Sequence, residues 1–374
     1  MAAIFTSSCF QILLIATIIL SSSIFAHATG PFNKIYAFGD SFTDTGNTRT
    51  LAKDLGGFSH VSNPPYGSTF FHHPTNRFSD GRLVIDFIAE KFLLPFLPPY
   101  LYLKGNAAIG VNFAVGGCTA ISHDFFVKNN MTLNVVPQSI GTQIGWFNQI
   151  LAKQGCKGSV NSSPACKAAL ENSLIWFGEI GVNDYAYSAL SSVSKETIQK
   201  LVIGAVTKAL KEILSKGVKN VVVQGLPPTG CLPLALAMSP SNDRDEMGCE
   251  KNSNIQIKVH NTALLAELQQ LRKQFPTAKI IYLDYYNAYA TVLKNPGAFG
   301  FREPFKVCCG SGNPPYNFNY FATCGLPNVQ ACPNPAQYIN WDGVHLTEAM
   351  YNVLAHMFVN GGFAQPPFSV LVGK

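Results

Sequence analysis

The sequence is poor in charge: 13% of its 374 residues are Asp, Glu, Lys or Arg, whereas 47% are hydrophobic. That balance excludes an intrinsically disordered chain, which needs the reverse, and leaves ample material for a core. The formal excess of Lys and Arg, +6, is spread without a basic run, so no nucleic-acid partner is expected. A second absence lies at the N-terminus, where residues 1–28 contain no Asp, Glu, Lys or Arg. An apolar run through Leu13, Leu14, Ile15, Ile18, Ile19 and Leu20 leads to the small-residue pattern Ala26-His27-Ala28, which reads as a signal peptide cut before Thr29. Ser21, Ser22 and Ser23 interrupt the run and leave it short for a bilayer, which counts against an uncleaved anchor. No stable membrane insertion is expected after cleavage. The expected product is one domain, residues 29–374, acting as a monomer in the secretory pathway, the cell wall, the extracellular space or the vacuole.

CxxC pairs are also missing, and no histidine sits among Cys308, Cys309, Cys324 and Cys332, so a zinc site is disfavoured and no metal is expected. Nine cysteines remain after cleavage, most in close-set groups: Cys156 with Cys166, Cys231 with Cys249, and the last four together. Disulfides in an oxidising compartment are the natural reading, with the pairing among the last four left open. An odd count leaves one thiol over, and Cys118 stands apart from the rest. Asn130 and Asn161 each begin an N-x-Ser/Thr glycosylation acceptor, which matters for an exported chain.

Five short runs rich in Val, Ile, Phe or Tyr read as buried strands: residues 34–38, 110–114, 174–177, 220–224 and 279–283. Helical periodicity separates them, most clearly over 194–216, where Ser194 stands at the cap position, and again over 254–274 and 344–358. Alternating strands and helices imply parallel pairing and an α/β fold, a three-layer α/β/α sandwich. In such sheets reactive groups gather beyond the carboxyl ends of the strands. Residues 305–335, rich in Gly, Pro, Asn and Cys, read as a long loop stapled by its cysteines.

Chemistry-bearing residues stand where that rule places them. After the first strand comes Gly39-Asp40-Ser41, which puts a hydroxyl at the sheet edge; a serine nucleophile needs a base for its proton and donors for the oxyanion. Taken alone, Ser41 reads more readily as a helix cap. After the second strand, Gly116-Gly117-Cys118 lets backbone N–H groups approach a ligand. The third strand leads into Gly178-Glu179-Ile180-Gly181-Val182-Asn183-Asp184, which offers the Asn183 amide. Near the C-terminus, Asp342-Gly343-Val344-His345 spaces a carboxylate and an imidazole for a hydrogen bond that fixes the histidine tautomer. His60, His72 and His73 have no such partner and are assigned to loops or surface.

These four blocks resemble the GDSL family of esterases and lipases, also called SGNH hydrolases, over nearly all of the mature chain. Arg77-Phe78-Ser79-Asp80-Gly81-Arg82, Gly225-Leu226-Pro227-Pro228-Thr229-Gly230-Cys231 and Cys308-Cys309-Gly310 are similar to the plant branch that includes sinapine esterase and acetylajmalan esterase. The resemblance implies a mainly parallel, five-stranded flavodoxin-like sheet. It implies a triad of Ser41, Asp342 and His345, and an oxyanion hole made by the Ser41 N–H, Gly117 and Asn183. No cofactor is implied, and the partner is a small-molecule ester, cleaved through an acyl-enzyme. The same machinery with a hydroxyl acceptor would make an acyltransferase, and a non-catalytic cell-wall binding protein is the remaining alternative. Two departures stand out: Phe42 replaces the family's leucine, and Cys118 stands where alanine is usual.

Overall fold

The computed structural model describes residues 30–50, 58–131 and 135–373; the signal peptide and cleavage point expected from the sequence lie outside them. Five strands form the centre: β1 (Lys34–Phe38), β2 (Gly110–Asn112), β3 (Ser173–Phe177), β4 (Asn220–Gln224) and β5 (Lys279–Leu283). They pair in parallel in the order β2-β1-β3-β4-β5. Two further strands, β6 (Glu303–Val307) and β7 (Tyr338–Asn340), pair apart from this sheet, and β8 (Ala364–Gln365) joins its edge antiparallel to β5. Each expected strand is present. β2 ends two residues earlier than its apolar run because Asn112 turns its amide to Thr43 O, 2.6 Å away, and ties the exit to the loop after β1.

Side chains alternate across the sheet, as the period of two requires. In β1, Tyr36 and Phe38 enter the core beneath helices Ile140–Lys153, Lys195–Ser215 and Lys251–Gln274. Ile35 and Ala37 enter the opposite core, beneath Val84–Lys91, Tyr285–Lys294 and Glu348–Asn360. Burial on both faces explains why the strands read as continuous apolar runs rather than as alternating ones. Helices above and below the sheet complete the three-layer sandwich.

Ser194 caps its helix as expected, its Oγ accepting from Thr197 N at 3.2 Å. The last helix departs from expectation: it begins at Glu348, four residues after the apolar pattern starts. Asp342 Oδ1 accepts from the N–H groups of Val344 (3.1 Å) and His345 (2.9 Å), which holds that segment in a turn, and Thr347 supplies the cap. Among the described residues, no helix is long and apolar enough to cross a membrane.

Candidate active site

The strand order reverses between β1 and β3, since the chain proceeds outward in opposite directions from that pair. Side chains leaving the carboxyl ends of these neighbours face a common crevice. Ser41 arrives from β1 and Asn183 from β3, at the start of helix Val182–Ser188. Gly39, with φ +142°, makes the sharp exit from β1 that L side chains resist.

The C-terminal turn closes the crevice from the other side. His345 Nε2 lies 2.7 Å from Ser41 Oγ, and His345 Nδ1 lies 2.8 Å from Asp342 Oδ2 and 3.0 Å from Oδ1. All three residues are buried, with Ser41 6% exposed. Burial alone would raise the Asp342 carboxyl; the adjacent imidazole, the His345 N–H and the Tyr66 hydroxyl outweigh it and hold it below its ordinary value. That hydroxyl donates to Asp342 Oδ2 at 2.7 Å. Phe78, Phe42 and Phe58 surround the imidazole, with ring centroids 4.4, 5.4 and 5.7 Å from it. The arrangement can pass a proton from a hydroxyl to an imidazole braced by a carboxylate, the requirement for a serine nucleophile. Ser41 is a turn residue and caps no helix.

The expected oxyanion donors come from the loops that follow these strands. Neither the Ser41 N–H nor the Gly117 N–H donates to a protein acceptor among the described residues. Gly117 takes φ +77°, and its neighbour Gly116 donates to Thr48 Oγ1 (2.8 Å) and Asp44 Oδ2 (3.0 Å), which pins the glycine turn to the loop after β1. Asn183 is already engaged: its Nδ2 donates to Asp40 Oδ2 at 2.9 Å and to Cys118 O at 3.0 Å. Asp184 clamps the turn from the other side, accepting from the N–H groups of Ala120 (2.8 Å) and Ile121 (2.9 Å).

The substituted positions are both in contact with this machinery. Phe42 packs on the imidazole, whereas Cys118 holds Asn183 through its carbonyl and receives the Gln143 amide on its sulfur at 3.0 Å. Its thiol is free and buried, and burial pushes it well above its ordinary value, which disfavours the reactive thiolate. The other eight cysteines pair as Cys156–Cys166, Cys231–Cys249, Cys308–Cys332 and Cys309–Cys324. His72 and His73 are exposed, His60 is half-buried in a loop, and the Asn130 and Asn161 side chains are exposed. Tyr66 and Phe58 stand in no motif, and the block that holds Phe78 gave no sign of the site; only the folded chain brings the three there.

The GDSL-like Lipase/Acylhydrolase profile matches residues 35–358, the span from the first strand through the last helix. The chain belongs to the GDSL lipase/acylhydrolase family. A GDSL esterase/lipase of Arabidopsis thaliana is 53% identical over 370 residues, covering 97% of this chain and 94% of its own. Another from the same plant is 42% identical over 350 residues, covering 90% and 87%. Acetylajmalan esterase 2 of Rauvolfia serpentina is 39% identical over 336 residues, covering 88% and 90%. This GDSL protein is a carboxylesterase/lipase, a hydrolase of ester bonds.

Proposed function

We propose that the chain is a secreted serine esterase for small acyl or phenolic esters, with Ser41 as nucleophile, His345 as general base and acid, and Asp342 as its brace. The observation that carries this reading is the continuous Ser41–His345–Asp342 hydrogen-bond chain, 2.7 and 2.8 Å long at its two links. Ser41 Oγ attacks the ester carbonyl as its proton passes to His345 Nε2. The carbonyl oxygen, now anionic, is held by the N–H groups of Ser41 and Gly117 and by the Asn183 amide, which shares or exchanges its bond to Cys118 O. Collapse expels the alcohol, which takes the proton from His345. Water, deprotonated by the same imidazole, then attacks the acyl-enzyme and releases the acid.

The site's enclosure bears on the size of the substrate. A nucleophile 6% exposed, whose neighbouring imidazole is ringed by three phenylalanines, favours a compact acyl group over a long chain. A relative named for cleaving acetylajmalan agrees with that preference. Four disulfides suit an oxidising compartment and support export of one domain, residues 29–374, after a signal peptide.

The test is labelling by a fluorophosphonate probe, followed by a screen of acetyl, short-chain and hydroxycinnamoyl esters against a long-chain triglyceride. Wild type is expected to label and Ser41→Ala not to; equal labelling of the two, or none, sinks the reading. Offering a polyol acceptor and weighing free acid against transferred ester separates hydrolysis from acyl transfer.

A further inference from the structure

Directly behind the nucleophile lie two carboxyl groups that the reaction above does not use. Asp40 is 1% and Glu179 0% exposed, at the ends of β1 and β3. Asp40 is well supplied with donors: Phe42 N–H reaches Oδ1 at 3.1 Å and the Asn183 amide reaches Oδ2 at 2.9 Å. Glu179 is not. Its polar neighbours include the Asp40 and Asp184 carboxyls and the Val182 N–H, yet among the described residues no donor meets either of its oxygens in good hydrogen-bond geometry.

Two ionised carboxylates, each able only to accept, repel one another, and in a dry interior neither has water to screen it. One proton between them turns the clash into a charge-assisted O–H···O⁻ bond. Which oxygen carries it follows from the donors. Those on Asp40 favour its anion, and the donor-poor Glu179 is left with the proton. Burial acts in the same sense, pushing Glu179 well above the carboxylate range and Asp40 up to about 6.

We propose that Glu179 is a positioning residue: as a neutral carboxylic acid it donates to Asp40, and Asp40 in turn fixes the Asn183 amide for the oxyanion. A carboxylate distinguishes the two ends of an amide, because it accepts from Nδ2 and repels Oδ1. An Asn183 flipped by 180° would present its carbonyl oxygen to the developing oxyanion and abolish the donor. With Glu179 holding the only proton, Asp40 stays anionic, and only the productive orientation of Asn183 is bonded. Without that donor, Asp40 itself becomes the group that picks up a proton, and as an O–H it can donate to the flipped Oδ1.

This inference rests on the proposed triad, and the experiment separates the two. Rates of Ser41 labelling by a fluorophosphonate, and kcat and KM on p-nitrophenyl acetate, are compared for wild type, Glu179→Leu and Glu179→Gln. The Leu variant, which cannot donate, is expected to lose roughly 10- to 100-fold in kcat and in labelling rate, below the full loss of an oxyanion donor, with KM within about twofold. Gln, a neutral donor of the same length, is expected to rescue most of that loss, to within about threefold of wild type. Wild-type rates in the Leu variant, or Gln as impaired as Leu, overturn the positioning role while leaving the triad intact. A wild type that fails to label removes the triad and this inference with it. Should Glu179→Leu not fold, infrared spectroscopy decides: wild type at neutral pH must show a protonated carboxylic acid C=O band that Glu179→Gln lacks, and its absence overturns the assignment.

Discussion

Asp342 receives more hydrogen bonds than its partnership with His345 requires. Tyr66 donates to the same oxygen that faces His345 Nδ1, and two backbone N–H groups reach the other. The carboxylate is thus fixed before the imidazole is placed. Asp342→Asn keeps the shape but removes the charge and the preferred tautomer, and is expected to lower kcat about 10⁴-fold. Tyr66→Phe removes one donor of four and is expected to lower it only about 5- to 10-fold, since a bond to a charged group contributes about 1.5–3 kcal/mol and not all of it bears on the barrier. Both values come from kcat on p-nitrophenyl acetate. A Tyr66→Phe loss equal to that of Asp342→Asn would show that the hydroxyl, rather than the peptide donors, holds the carboxylate. Ser41, Asp342 and His345 were legible because each stands in a short motif, Ser41 in Gly39-Asp40-Ser41 at a strand end and Asp342 three residues before His345. Tyr66 was not, standing 276 residues from the oxygen it meets.

Among the elements, the stapled loop matters most to the site. Cys308 N donates to Asn340 O at 3.0 Å and Cys309 N to Trp341 O at 2.8 Å, so the cysteines lie alongside the chain that leads into Asp342. Phe318, from within the same loop, fills the space beside Gly343: a Cβ built there would stand 2.3 Å from its ring, at φ +107°. The loop therefore buttresses the turn that carries Asp342 and His345. Removing the Cys309–Cys324 link by paired alanine substitution is expected to cost about 2–4 kcal/mol and to lower kcat, whereas removing Cys156–Cys166, remote from that turn, should cost stability alone. Thermal melting beside an esterase assay checks this, and equal activity in the two variants at a temperature where both are folded would refute it. The five strands were legible because burial on both faces writes an unbroken apolar run. The start of the last helix was misplaced because its apolar spacing begins in residues that the Asp342 side chain holds in a turn. The pairing of the last four cysteines had no signal in spacing, since two nested links satisfy the same sequence as two crossed ones.

On the scale of the whole molecule, buried acids give stability a dependence on pH. Burial raises Asp184 to about 7, against the pull of the Ala120 and Ile121 N–H groups, and raises Glu179 well above the carboxylate range. A carboxyl raised on folding binds its proton more tightly in the native state, so its contribution is present below the ordinary carboxylate range and is lost as pH climbs through the folded value. His260, lowered to about 3 by burial, acts in the opposite sense, but its window closes near its unfolded value of about 6.5. Above that point the acids act alone. Melting temperature is expected to fall by a few degrees between about pH 6.5 and 8, and a rise over that interval would contradict it. The three-layer fold and the crevice were legible from the alternation of elements, whereas the acids beneath the crevice, brought together by strand neighbours far apart in sequence, were not.

The residues proposed to exchange the proton, Ser41 and His345, are separated by 304 positions. During synthesis the hydroxyl leaves the ribosome with the first strand, and the imidazole follows only when nearly all the rest has been translated. A nascent chain therefore carries an inert alcohol, and the esters it meets are safe from it until the tail has folded back.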